Sequence, residues 1–175
     1  MKLSKIYKSL LQENNSLDSS TEKELQKIGK ELSNNEKIKS MVLSAFAKNP
    51  KAFDVLDKKV GKLLPTNEAT SDFDINFNNL EKLSLDLSKD IDVEITESLK
   101  DTLKIATRVL KLLGLSSLDD IIITIVKEVA QGQFFDTISV EHSGTLNSIA
   151  LIITIATIVL KIVREAKRRN LKATN

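Results

Sequence analysis

Cysteine and tryptophan are absent from this 175-residue chain, histidine occurs once, and aromatic residues make up only 4%. Without thiols there is no disulfide framework, no thiolate metal site and no cysteine nucleophile. Without many rings, any core must be built from Leu, Ile and Val. Five Gly and two Pro are too few for a turn-rich β-sandwich and favour helices. Residues 1–20 lack the continuous apolar run of a secretory signal.

What is present is a long uncharged stretch near the C-terminus, Ser143 to Leu160, interrupted in its centre only by Thr154 and Thr157. Eight Ile, Leu and Val lie between Ile149 and Leu160. At ~1.5–3 kcal/mol each, their burial is worth ~12–24 kcal/mol as an upper estimate. The protein's own core, a neighbouring subunit or a bilayer must cover them. A basic tail follows: Lys161, Arg164, Lys167, Arg168, Arg169 and Lys172. Uncharged residues ahead of a cationic flank fit a single transmembrane helix of about 143–163 with a cytoplasmic C-terminus. The seven-residue recurrence of Asn147, Thr154, Lys161 and Arg168, with Ala150, Thr157 and Arg164 beside them, points instead to a bundle helix. On that pattern Thr154 and Thr157 face water or a polar partner, while Ile152 and Ile155 face the core. This continuity favours cover by protein.

The net charge of +2 is unevenly spread. Residues 1–65 carry 13 Lys against 8 acids, and residues 66–101 carry 10 acids against 3 Lys. Residues 102–160 have 4 cations against 5 acids, and the tail from Lys161 has 6 cations against 1 acid. Acidic middle and basic ends are suited to pair within a molecule or between subunits.

The expected fold is mainly α: short N-terminal helices, a small extended acidic segment, and a C-terminal helical hairpin plus a long terminal helix. Residues 1–13 form an amphipathic docking or leader helix, with Leu3, Ile6, Tyr7, Leu10 and Leu11 as its docking face. A polar linker, Asn14 to Ser20, follows. Residues 21–65 form a short-helix region, opened by a Thr21/Glu24 capping box and punctuated by Asn34, Asn35, Pro50 and Pro65. Pro50 suits the first turn of the helix that follows it.

Residues 66–95 are acidic and partly extended. Phe73, Ile75 and Phe77 alternate with polar residues, as do Leu83, Leu85 and Leu87, and then Ile91, Val93 and Ile95. Leu and Lys favour helix, so the middle run is assigned to a helix from Asn78 to Lys89 and the outer two to extended chain. Residues 96–175 form the helical core. One stripe runs from Leu99 through Leu103, Ala106 and Leu110 to Leu113, widened by Ile105, Val109 and Leu112, with Lys100, Lys104, Arg108 and Lys111 opposite. Gly114 suits a left-handed stop. A second helix follows a Ser116 or Ser117 cap, with Asp119 and Asp120 in its first turn.

The residues point to no catalytic, cofactor or metal site. His142 lacks companions and reads as a loop residue. The run Asp72, Asp74 and Asn76 opens like a calcium loop, but Phe77 and Leu83 stand where a Gly and a closing Glu are needed. The basic tail is a candidate contact for phosphates of nucleic acid or anionic lipid, set against a solvated helix end that complements its own dipole.

The opening residues MKLSKIYKSLLQE resemble the amphipathic leaders of small virion proteins of tailed bacteriophages. In such families the leader directs packaging into the head and is removed after a Leu/Ile-x-Glu triplet, here Leu11, Gln12 and Glu13. The resemblance covers thirteen residues and implies a non-enzymatic structural or packaged component of a large assembly. Its partners would be protein subunits, itself included as an oligomer, and its location the virion or host cytoplasm. The alternatives are a C-terminally anchored membrane protein and a nucleic-acid-associated protein using the tail.

Overall fold

The computed structural model describes residues 17–65, 72–91, 99–131 and 145–174. Among them are seven α-helices and no strand: α1 (Ser19–Ser33), α2 (Glu36–Lys48), α3 (Ala52–Val60), α4 (Phe77–Ser88), α5 (Leu99–Leu112), α6 (Asp119–Gln131) and α7 (Thr145–Thr174). Short 3₁₀ turns, Gly61–Leu63 and Ser116–Leu118, follow α3 and precede α6.

Local chemistry places the ends of these helices. Asp18 caps α1, its carboxylate accepting from the Thr21 N–H at 2.8 Å. The expected Thr21/Glu24 box does not form, because Asp18 starts the helix earlier and leaves Thr21 buried on the core side. Residues 17–20 are accordingly no linker: Leu17 is buried and its N–H donates to Glu81 Oε2 at 3.0 Å. Asn35 caps α2 by accepting from the Ile38 N–H. Pro50 lies in the turn before α3 rather than in its first turn. Gly114, at φ 74°, closes α5. There the Leu115 N–H donates to the Leu110 carbonyl and the Gly114 N–H to the Lys111 carbonyl, which satisfies two otherwise orphaned acceptors.

Each helix then buries the stripe its periodicity prescribes. Leu25, Ile28 and Leu32 are inside on α1, Ile38, Val42 and Phe46 on α2, and Ala52, Leu56 and Val60 on α3. On α5 the buried apolar residues are Ile105, Ala106, Val109 and Leu110, continued by Leu113 just beyond the helix. Leu112, expected to widen that stripe, is 43% exposed among the cations instead. The α5–α6 hairpin packs as expected, with Leu110 and Ile122 fully buried.

The three alternating runs resolve differently. Phe73 and Ile75 are buried while Asp72, Asp74 and Asn76 are exposed, so the period-two reading of burial holds there. Among the described residues no strand pairs with them. The side-chain amide of Gln26 serves in place of one, donating to the Phe73 carbonyl and accepting from the Ile75 N–H at 3.4 Å. The Phe73 ring then rests on Gly29, where an added Cβ would lie 2.1 Å from ring atoms. The middle run is helix α4, capped by Asn76 and burying Leu80, Ser84 and Leu87. Ile91 is buried. Val93 and Ile95 lie outside the described residues, as do residues 1–16 and His142.

All six other α-helices pack against α7, and one buried apolar cluster runs from Leu17 to Val163. From Ser148 to Val163 every residue of α7 is buried. Thr154 and Thr157 therefore do not face water, contrary to expectation. Their hydroxyls donate to the Ala150 and Ile153 carbonyls at 2.7 and 2.8 Å. Satisfied one turn back along their own helix, they pack as small, nearly apolar groups.

Two outcomes follow for stability. Thr157→Val should leave the urea midpoint within experimental scatter, whereas Thr157→Lys should be as damaging as Ile155→Lys, each burying an unpaired charge at a cost of about 3 kcal/mol or more. A soluble, normally melting Thr157→Lys variant would show that this face is open. Gly29→Ala should lower stability by about 1–3 kcal/mol through overpacking against Phe73, read from the same denaturant curves.

Candidate functional site

The uncharged half of α7 and its cationic end are the two candidate functional features of the described chain. The helix Thr145–Asn170 is long and apolar enough to cross a membrane by length and composition, yet 89% of its apolar window is buried inside the protein. The chain supplies its own cover.

Two of the cations beyond it, Arg164 and Lys167, meet one partner surface, the side of α3 that packs on α7. Asp57 accepts from both Nε (3.1 Å) and Nη2 of Arg164. Nη2 also lies 3.0 Å from the place a Cβ would take on Gly61, so the guanidinium is seated against the backbone at the end of α3. Four residues earlier on α3, the Phe53 ring carries the Lys167 ammonium 3.6 Å from its centroid. These two contacts set α7 antiparallel to α3 at this end of the bundle. Nothing in the sequence pattern singles out Phe53 for this role. The signal was faint, an aromatic and a carboxylate four residues apart on one helix face.

Lys161, placed by sequence on an open basic face, is buried. Its ammonium donates to Glu165 Oε1 at 2.6 Å, within an i,i+4 pair whose side chains are 10% and 19% exposed. Arg168 is half-buried with a partner of its own, and Arg169 is exposed. The Lys172 side chain lies outside the described residues. Of the six candidate phosphate contacts, Lys161, Arg164, Lys167 and Arg168 thus already have partners within the fold.

The docking-face residues Leu3, Ile6, Tyr7, Leu10 and Leu11 lie outside the described residues. Among the described residues no group of three acids or histidines is placed to hold a metal. Asn76 of the calcium-like run is occupied as a helix cap, accepting from the Asn79 N–H at 3.1 Å.

Two carboxyls have pKa values raised above the ordinary range. Glu22 is raised by burial and by the nearby charges of Glu81 and Asp18. Asp119 is raised by burial and by Asp120. Its Oδ1 is buried without a hydrogen-bond partner among the described residues. Asp119 and Asp120 do occupy the first turn of α6, where the helix dipole favours them. Both shifts follow from burial and the crowding of like charges.

Comparison of the chain with protein-family models, with curated proteins and with solved structures finds no match.

The buried Lys161–Glu165 pair makes an asymmetric prediction. Glu165→Ala should destabilise more than Lys161→Met, because the first leaves an ammonium uncompensated in the interior and the second removes that charge while retaining its apolar stem. Thermal melts ranking the two in the opposite order would place Lys161 in water.

Proposed function

We propose that this chain is a non-enzymatic, packaged or structural component of a large assembly, namely the particle of a tailed bacteriophage. The observation that supports the reading is the enclosure of α7 by the chain's own helices. A membrane-anchored chain needs that helix in lipid, whereas a packaged one needs a body that is complete without it. Such a body can be carried by a separate address, and residues 1–13 supply the leader-like sequence for one. The bundle takes in Leu17 through its Glu81 hydrogen bond, which leaves only Asn14, Asn15 and Ser16 between address and body.

Its partners on this reading are other protein subunits of the assembly, and its location is the virion or the host cytoplasm before packaging. Reading the chain as nucleic-acid-associated through the tail finds less support, since four of those cations are engaged within the fold.

The test compares full-length chain with chain lacking residues 1–13, co-expressed with assembling phage heads. Both should partition without detergent and melt alike, only the full chain should enter heads, and packaged copies should begin at Asn14 by mass spectrometry. Recovery of the full chain only in alkali-resistant membranes, or packaging that is indifferent to the deletion, would sink the proposal.

A further inference from the structure

The tail was the obvious place to look for anion binding, and its charges are largely spent within the fold. The opposite holds on α5. Its exposed side carries Lys100, Lys104, Arg108 and Lys111, and these make no ion pair among the described residues. The one acid of this helix, Asp101, is buried. Each of the other six helices mixes signs among its exposed and half-exposed residues: Lys23 and Glu31 on α1, Glu36 and Lys37 on α2, Asp54 and Lys58 on α3, Lys82 and Asp86 on α4, Asp120 and Lys127 on α6, and Glu165 and Lys167 on α7. Only α5 displays a single sign.

Helical geometry sets these four cations within an arc of ~80°, over ~16.5 Å of axis, with Lys100, Lys104 and Arg108 each ~6 Å apart. Like charges at this spacing cost folding stability. A row with no ion-pair partner among the described residues is satisfied by a linear polyanion.

We propose that the exposed side of α5 is a docking ridge for the phosphate backbone of double-stranded nucleic acid. A duplex strand carries one charge every ~3.4 Å along its axis, so the ridge spans about five phosphates. A shallow depression lined by Lys100, Leu103, Lys104 and Thr107 gives a backbone somewhere to settle between the cations. Arg108 adds a planar fork suited to bidentate phosphate binding. No aromatic residue stands on this helix, so binding is through backbone charge and does not discriminate base sequence. The ridge is independent of the packaging reading: a chain that docks on nucleic acid but fails to enter heads, or the reverse, separates the two.

The test is fluorescence anisotropy of full-length chain on two unrelated duplexes of about 20 base pairs, between about 50 and 200 mM salt. Four phosphate contacts predict a log–log salt slope of about −3.6 and a loss of about two orders of magnitude in affinity across that range. The double variant Lys104→Gln with Arg108→Gln should flatten the slope by about 1.8. The control, Lys23→Gln with Lys27→Gln on α1, removes equal charge at equal spacing and should leave the slope unchanged. If the ridge variant does not fold by circular dichroism, Lys100→Gln with Lys111→Gln takes its place. Equal losses in ridge and control variants, the absence of salt-sensitive duplex binding, or tighter binding to phosphatidylserine vesicles than to duplex would each overturn the proposal.

Discussion

A helix that is apolar on every side cannot meet water on any of them, and in this chain that condition falls on Ile149 to Leu160 of α7. One or two neighbours would leave part of its circumference bare. Six helices are used, and each is short, amphipathic and of little stability alone. The dependence is mutual. α7 has no folded state in water without its cover, and every one of the covering helices packs against it.

The same constraint shapes the polar details. Thr154 and Thr157 are admissible in the centre because their hydroxyls turn back to carbonyls of their own helix. Lys161 is admissible just beyond because Glu165 stands one turn on. Arg164 and Lys167 fasten the end of α7 to Asp57 and Phe53 of α3. The cationic tail is therefore partly structural, and it marks where the helix leaves the core. Among the described residues the cations of α5 have no such ion-pair partner. A charge that the fold uses and one that it leaves unpaired look alike in composition, and that difference moves the proposed anion-binding surface from the tail to α5.

Much of this architecture was legible beforehand, for local reasons. Helices α1, α2, α3, α5 and α6 announce themselves by apolar residues three and four apart and α4 by the helix preference of Leu and Lys, while Gly114 and Asn35 mark boundaries by chemistry confined to a single turn. Alternation at Phe73 and Ile75 correctly reported which side chains go inside. Burying alternate residues needs only an extended backbone with its polar groups satisfied. Here one glutamine side chain from a distant helix satisfies them, and no sheet is required. Nothing near Gln26 in the sequence announces that role.

By itself, then, the sequence determined that the chain is helical, that its core is aliphatic, and that Ile149 to Leu160 must be covered by something. Those follow from propensity, composition and the cost of exposing hydrocarbon to water. What covers the segment, which of its faces is open and which cations are free were decided only in three dimensions. A periodic pattern ranks the faces of a helix by polarity, but it does not count the neighbours. With six of them around α7, even its most polar central face is inside, and a charge such as Lys161 is read as buried or exposed only once its surroundings are in place.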